Sequence, residues 1–173
     1  MPVNNKDEIK KTNKLKQKVS KETPLMELTL RRYERPDRLE PRDLIKKFCL
    51  SMGLLQPGDS RDIIVDILYV LLKAKTDKKI LTSEQIKDDV IKLRDQYDLP
   101  QCGVASSNIR RQVKRLRDIL LVEKIRNNYR INEFSNLNDT YHDKFHQYLL
   151  PSVTARIRDY FKEIDRVFEW KWA

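Results

Sequence analysis

Glycine, cysteine and histidine are scarce in this chain of 173 residues, and each scarcity argues against a class of functional site. Three glycines, Gly53, Gly58 and Gly103, are too few for a glycine-rich phosphate loop or a GxGxxG dinucleotide motif. Two cysteines, Cys49 and Cys102, are too few for a disulfide scaffold and fit a reducing compartment. No HExxH, CxxC or GxSxG pattern occurs. We therefore expect no enzyme, no catalytic residue, no cofactor and no metal site.

Long hydrophobic runs are also missing. No apolar stretch approaches the length of a membrane span, and the opening residues MPVNNKDEIKKTNK contain no hydrophobic core of a secretion signal. We expect a protein without membrane association that resides in the cytoplasm, with the nucleoid if the organism is prokaryotic.

Positive charge is abundant and unevenly distributed. The chain has 36 Lys and Arg against 26 Asp and Glu, and nine of the ten excess positive charges fall within residues 1–24 and 101–134. We interpret residues 1–24 as a basic flexible tail, with a DNA-tracking arm as the alternative. The second concentration, within 101–134, indicates a polyanionic partner.

Residues 105–134, ASSNIRRQVKRLRDILLVEKIRNNYRINEF, predict a helix followed directly by a hairpin. Ile109, Val113, Leu116 and Leu120 are spaced four, three and four apart, which is one buried stripe of an α-helix. Ser106 or Ser107 is expected to cap it. The opposite face and its flanks carry Ser107, Arg110, Arg111, Lys114, Arg115, Arg117 and Asp118.

For the hairpin we expect a turn at Asn127-Asn128, because Asn tolerates positive φ. A loop of Arg126, Asn127 and Asn128 is preferred, because a strict two-residue loop would set Ile131 across from Lys124. The preferred loop predicts two faces. The packing face carries Glu123, Ile125, Tyr129 and Ile131, and the basic face carries Lys124, Arg126, Arg130 and Asn132.

Upstream, the pattern predicts three helices and a short strand. Pro41–Met52 is expected to form a helix with Cys49 in its buried stripe and Gly53 at its stop. An apolar core helix is expected from Arg61 to about Lys75, capped by Asp59 or Ser60. A strand at Ile80-Leu81 and a helix from Ser83 to about Asp95 follow, the latter with a Thr82/Gln85 capping box.

Downstream, we expect a helix from Tyr141 to about Leu150, an interruption at Pro151, and a second helix from Ser152 to about Phe168. His142 and His146 lie four apart but lack a further ligand pattern, so no metal site is predicted. The second helix carries an a/d seam, which indicates either packing on its own domain or a homodimer: Val153, Ile157, Tyr160, Phe161, Ile164, Val167 and Phe168.

The stretch Ser106–Ile131, SSNIRRQVKRLRDILLVEKIRNNYRI, resembles the recognition helix and wing of winged helix-turn-helix domains. The resemblance implies a mainly α fold with a small β-hairpin (α+β). It implies a winged helix-turn-helix core at 59–134, a connector with a short helix at 25–58, and a helical extension at 135–173. It also implies a transcriptional regulator that binds double-stranded DNA, in sequence-specific or general fashion.

The resemblance assigns each basic residue a role. Arg111 is expected to read guanine, and Lys114 to face base edges or nearby phosphates. Arg110, Arg115 and Arg117 are expected to bind phosphates, while Lys124, Arg126 and Arg130 on the wing grip the backbone or enter the minor groove. The complete set expected at DNA is Ser106, Ser107, Arg110, Arg111, Lys114, Arg115, Arg117, Lys124, Arg126, Asn127, Asn128 and Arg130.

Two alternatives remain open from the sequence. Winged-helix domains also serve as protein-interaction modules of transcription, replication or segregation machines, and here the C-terminal seam with Trp170 and Trp172 would bind the partner. The second alternative is that the same basic surface binds RNA.

Overall fold

The computed structural model of the chain describes residues 35–59 and 61–168. The predicted basic tail, residues 25–34 of the predicted connector, Ser60, Trp170 and Trp172 lie outside the described residues. The described chain is mainly helical with a small three-stranded antiparallel sheet, which confirms the predicted α+β class.

The elements follow the predicted order of helix, strand, two helices and hairpin, preceded by one more helix. The bounds are α1 Pro41–Ser51, α2 Ile63–Thr76, β1 Leu81–Thr82, α3 Ser83–Gln96, α4 Ser106–Asp118, β2 Val122–Ile125 and β3 Asn128–Ile131. Strand β3 lies between β1 and β2 in the sheet.

Helix α2 is the centre of the core because it is apolar around most of its circumference. Its residues Val65, Ile67 and Leu68 are fully buried. It packs against α1, α3, α4 and strand β3. Helix α1 thus belongs to the same core as the segment that follows it.

Local signals set the ends of the first helices. Gly53, two residues after α1, has a φ of +66°, which a residue with a Cβ adopts only at a cost. The capping box on α3 is confirmed: Thr82 Oγ1 accepts from the Gln85 amide at 3.1 Å, and Gln85 Oε1 accepts from the Thr82 amide at 2.8 Å. Strand β1 begins at Leu81, one residue later than expected.

The predicted start of α2 is wrong. The helix begins at Ile63 after Asp62, not at Arg61 after Asp59 or Ser60. The Asp62 carboxylate makes ion pairs with two arginines and no cap hydrogen bond, while Asp59 accepts from the Arg61 amide at 2.8 Å.

The predicted hairpin register is also wrong. Ile125 pairs with Asn128 and Val122 with Ile131, so the loop is the two residues Arg126 and Asn127. Arg126 has a φ of +56°. A loop one residue shorter shifts the pairing, and this brings Glu123 opposite Arg130 instead of onto a shared face with Tyr129.

A 3₁₀ turn at Asn132–Phe134 follows the hairpin, and the C-terminal extension then opens with a short helix, α5, at Leu137–Thr140. A π-helical segment, Tyr141–Leu149, leads without a break into α6, Leu150–Phe168. The predicted interruption at Pro151 is wrong: the missing N–H of Pro151 falls where the hydrogen-bond register changes from π to α. Phe145 is buried in the core. Within the described ranges, no helix is long and apolar enough to cross a membrane.

Candidate nucleic-acid interface

Helix α4 packs on the core through the predicted stripe. Ile109, Val113 and Leu116 are fully buried, and Gln112 widens the buried side. Leu120 was expected to extend the stripe but is 39% exposed, because the helix ends at Asp118 and Leu120 has a φ of +62°. Ile119 is buried in its place.

The opposite face of α4 is exposed and basic. Ser107, Arg111 and Lys114 are exposed on it, and Arg110 and Arg117 flank it, as predicted. Asp118 is the acidic residue of this face. Arg111 Nη2 donates to Asn108 Oδ1 at 3.0 Å, a neutral acceptor that leaves the guanidinium charge uncompensated.

The amino-terminal end of α4 differs from the expectation. Ala105 is the N-cap, and no side chain caps the helix, so the predicted serine cap is wrong. The Ser106 hydroxyl instead donates to Glu84 Oε2 at 3.1 Å. The other oxygen of Glu84 lies 3.9 Å from Arg110 Nη1. A carboxylate from α3 therefore lies where the helix dipole and Arg110 would favour a phosphate.

Arg115 is half-buried and holds neighbouring elements together. Its Nη1 donates to Gln112 Oε1 at 2.9 Å, and its Nη2 donates to the Gly53 carbonyl at 3.4 Å. These bonds tie α4 to the loop after α1. The guanidinium is thus less available to a phosphate than the sequence suggested.

The hairpin divides its cations between two roles. Lys124 and Arg126 are exposed, and Arg126 lies in the two-residue loop between exposed Asn127 and the end of β2. Arg130 Nε donates to Glu123 Oε1 at 2.6 Å, and its guanidinium lies 4.7 Å from the centre of the Phe134 ring. Arg130 therefore stabilises the hairpin. Asn128 pairs with Ile125 in the sheet.

An open groove of about 580 Å³ runs beside α4, against the loop that joins α1 to α2. Ser107, Arg111 and Arg115 line one wall, and Arg61 lies on the other. Asp59, Arg61 and Glu84 are charged residues that sequence reasoning did not place at this surface, because only the packing of the elements brings them to α4.

A buried ionic network holds the helices behind this surface. Arg42 of α1 bonds Asp62 at 2.7 Å and Asp66 at 2.8 Å. Arg94 of α3 pairs with the same two carboxylates and donates from Nε to the Pro100 carbonyl at 2.9 Å. The network was not predicted, although Asp66 inside an otherwise apolar helix was a signal for it.

The other candidate residues lie away from α4. Cys49 is fully buried, as expected, and Cys102 is exposed. The rings of His142 and His146 are exposed and 5.9 Å apart. Among the residues described here, no group of three or more His, Cys, Asp or Glu side chains is placed to hold a metal ion.

Comparisons of the chain with protein-family models, curated proteins and solved structures find no match. A functional proposal therefore depends on the geometry and charge of α4, the hairpin and the groove between α4 and the α1–α2 loop.

Proposed function

We propose that the protein binds double-stranded DNA as a winged helix-turn-helix transcriptional regulator, with α4 as recognition helix and the β2–β3 hairpin as wing. The observation that carries the proposal is the set of exposed cations on α4 and on the hairpin that follows it. In the part of the chain that the structure describes, Lys114, Arg117, Lys124 and Arg126 take part in no ion pair, and the side chain of Arg111 makes a hydrogen bond only to Asn108. Cations without a protein partner suit phosphate neutralisation.

The contacts divide into base reading and phosphate binding. An α-helix fits the major groove, which is roughly 12 Å wide, and Arg111 at the centre of the exposed face matches the two acceptors of guanine. Lys114, Arg117, Lys124 and Arg126 would bind phosphates on either side. Arg115 and Arg130 would contribute indirectly, because they hold α4 and the hairpin in position.

Duplex DNA is favoured over duplex RNA as the partner. The major groove of A-form RNA is too deep and narrow for side chains to read, so a helix with an exposed basic face such as α4 suits DNA better. We also propose a cytoplasmic location, which is in keeping with the free thiols of Cys49 and Cys102.

The test is fluorescence anisotropy of a labelled mixed-sequence duplex across about 50 to 300 mM salt, where log K should fall by roughly 0.9 per phosphate neutralised per unit of log salt. The variant Arg111→Ala with Lys114→Ala should lower the affinity at least about tenfold and lower the slope by roughly one to two. Both side chains are exposed, so the thermal unfolding midpoint should not change.

The matched control is Arg158→Ala with Lys162→Ala, which removes two exposed positive charges from α6 instead. It should leave affinity and slope close to the wild-type values. An equal loss of affinity in both variants would show that only the net charge of the protein matters. That result would contradict the assignment of the DNA-binding surface to α4. Absence of binding at low salt would overturn DNA binding itself.

A protein-interaction function is the second candidate, favoured by the apolar face of α6. That face is separate from the basic surface, so the two functions are compatible.

A further inference from the structure

Helix α6 exposes its whole apolar seam. Among the described residues, its substantial contacts are only with the π-helical segment that precedes it in the chain. The seven seam residues are between 42% and 71% exposed: Val153, Ile157, Tyr160, Phe161, Ile164, Val167 and Phe168. The described part of the chain therefore does not cover this face.

The size of the exposed surface is large for a monomer. Tyr160, Phe161 and Phe168 are 59%, 64% and 71% exposed. At roughly 150 to 250 Å² per aromatic side chain, these three alone present about 300 to 480 Å². The largest apolar patch of a typical monomer is about 300 to 600 Å², and the aliphatic seam residues add to this value. Such a continuous patch is typical of an interface.

The heptad positions on α6 are well defined. Leu150, Ile157 and Ile164 occupy a, and Val153, Tyr160 and Val167 occupy d. The flanks are unlike each other: the e positions are Thr154, Phe161 and Phe168, whereas the g positions are Arg156 and Glu163.

This asymmetry selects the orientation of a partner helix. In a parallel pair, e residues face g residues, which would place Phe161 against Arg156 and Phe168 against Glu163. In an antiparallel pair, e residues face e residues and g residues face g residues. The phenylalanines of one copy then meet the apolar or neutral e flank of the other, and Arg156 of one copy meets Glu163 of the other. The second arrangement keeps the phenylalanines away from charged residues and places opposite charges beside each other.

We propose that α6 binds α6 of a second copy of this chain in antiparallel orientation. The central layers place Ile157 of each copy against Tyr160 of the other, and the next layers place Val153 against Ile164. Arg156 of each copy then lies beside Glu163 of the other, where it joins the Arg166 Nε that donates to Glu163 at 2.8 Å within the helix. The second copy is favoured as occupant because one sequence supplies both halves of this complementarity.

The first test is sedimentation equilibrium of the full chain between about 1 and 100 µM, a range that covers micromolar dissociation constants. The wild type should be a dimer, and Ile157→Asp should weaken the dimer more than about tenfold because two carboxylates would be buried without partners. Lys162→Asp introduces the same residue on the outward side of α6 and should stay dimeric. All α6 side chains described after Leu150 are exposed, so circular dichroism of both variants should show an intact fold.

A monomeric wild type across this range overturns the proposal, whether another segment of the chain or a different protein covers the seam. A dimer that Ile157→Asp leaves intact also overturns it, because the interface would then lie elsewhere.

The second test distinguishes the two orientations by disulfide trapping in a Cys102→Ser background, which removes the exposed native thiol. Antiparallel pairing places position 153 of one copy beside position 164 of the other, while positions 153 of the two copies are about 16 Å apart along the helix axis. Val153→Cys and Ile164→Cys should therefore cross-link when mixed and not singly. Cross-links within each single variant would show a parallel pair and overturn the antiparallel proposal.

Discussion

Glu84 sets the charge at one end of the proposed DNA surface. Its carboxylate accepts from the Ser106 hydroxyl and lies 3.9 Å from Arg110. Both neighbours belong to the first two turns of α4, where a phosphate would bind. In the proposed complex, Glu84 would compete with DNA for the same donors, which would lower the affinity and favour release.

Replacing Glu84 with Gln should strengthen DNA binding by about 1.4- to five-fold at low salt, because an exposed ion pair is worth about 0.2 to 1 kcal/mol. The anisotropy assay measures this gain, and the gain should shrink as salt increases. Asp159→Asn, which neutralises an exposed carboxylate on α6, should change affinity much less. Unchanged or weaker binding by Glu84→Gln would show that no phosphate approaches the start of α4.

At the scale of the element, the hairpin combines a strained loop with an exposed cation. Arg126 adopts a φ of +56° in a two-residue loop, a conformation that costs a non-glycine residue about 1 to 2 kcal/mol. Glycine would adopt it readily. Arginine thus occupies a position where glycine would suit the backbone better, and the proposed function gives its exposed charge a role there.

We predict that Arg126→Gly leaves the free energy of unfolding unchanged or raises it by up to about 1 kcal/mol, while DNA affinity falls. One lost phosphate contact should lower the salt slope by roughly 0.9. Arg126→Lys keeps the charge and should keep the slope. If the glycine variant shows the wild-type slope, the wing does not reach the duplex. Urea unfolding and salt-dependent anisotropy provide the two readouts.

At the scale of the whole molecule, the network of Arg42, Asp62, Asp66 and Arg94 links α1, α2 and α3 behind α4. Burial raises the pKa of Asp62, but the hydrogen bonds and charges of Arg42 and Arg94 lower it by a larger amount. The pKa of Asp62 therefore lies below the ordinary value of 3.8. A carboxylate with a lowered pKa stabilises the folded state at neutral pH. That stabilisation is lost as pH falls below the unfolded value and through the folded pKa.

Urea unfolding should therefore give a wild-type stability that is level between about pH 7 and 5 and declines below about pH 4. Asp62→Asn should reduce stability at pH 7 by about 3 kcal/mol, because it leaves buried guanidinium charge uncompensated. The variant should also show a smaller acid-induced decline than the wild type. An identical pH profile in the two proteins would place the responsible carboxylates elsewhere.

The periodic and local features of this protein were predictable from its sequence. The stripe of Ile109, Val113 and Leu116, the apolar α2 and the Thr82/Gln85 capping box are confirmed, because helical spacing and caps depend on residues close in the chain. The exposure of the basic face of α4 follows from the same spacing.

Only the tertiary structure decided which charges compensate one another. Arg130 pairs with Glu123, Glu84 approaches Arg110, and four buried charges meet in one network. The hairpin register and the continuous helix through Pro151 also escaped prediction. Such outcomes depend on the relative placement of packed elements and on a one-residue choice of loop length, whereas hydrophobic periodicity specifies only which side of each element is buried.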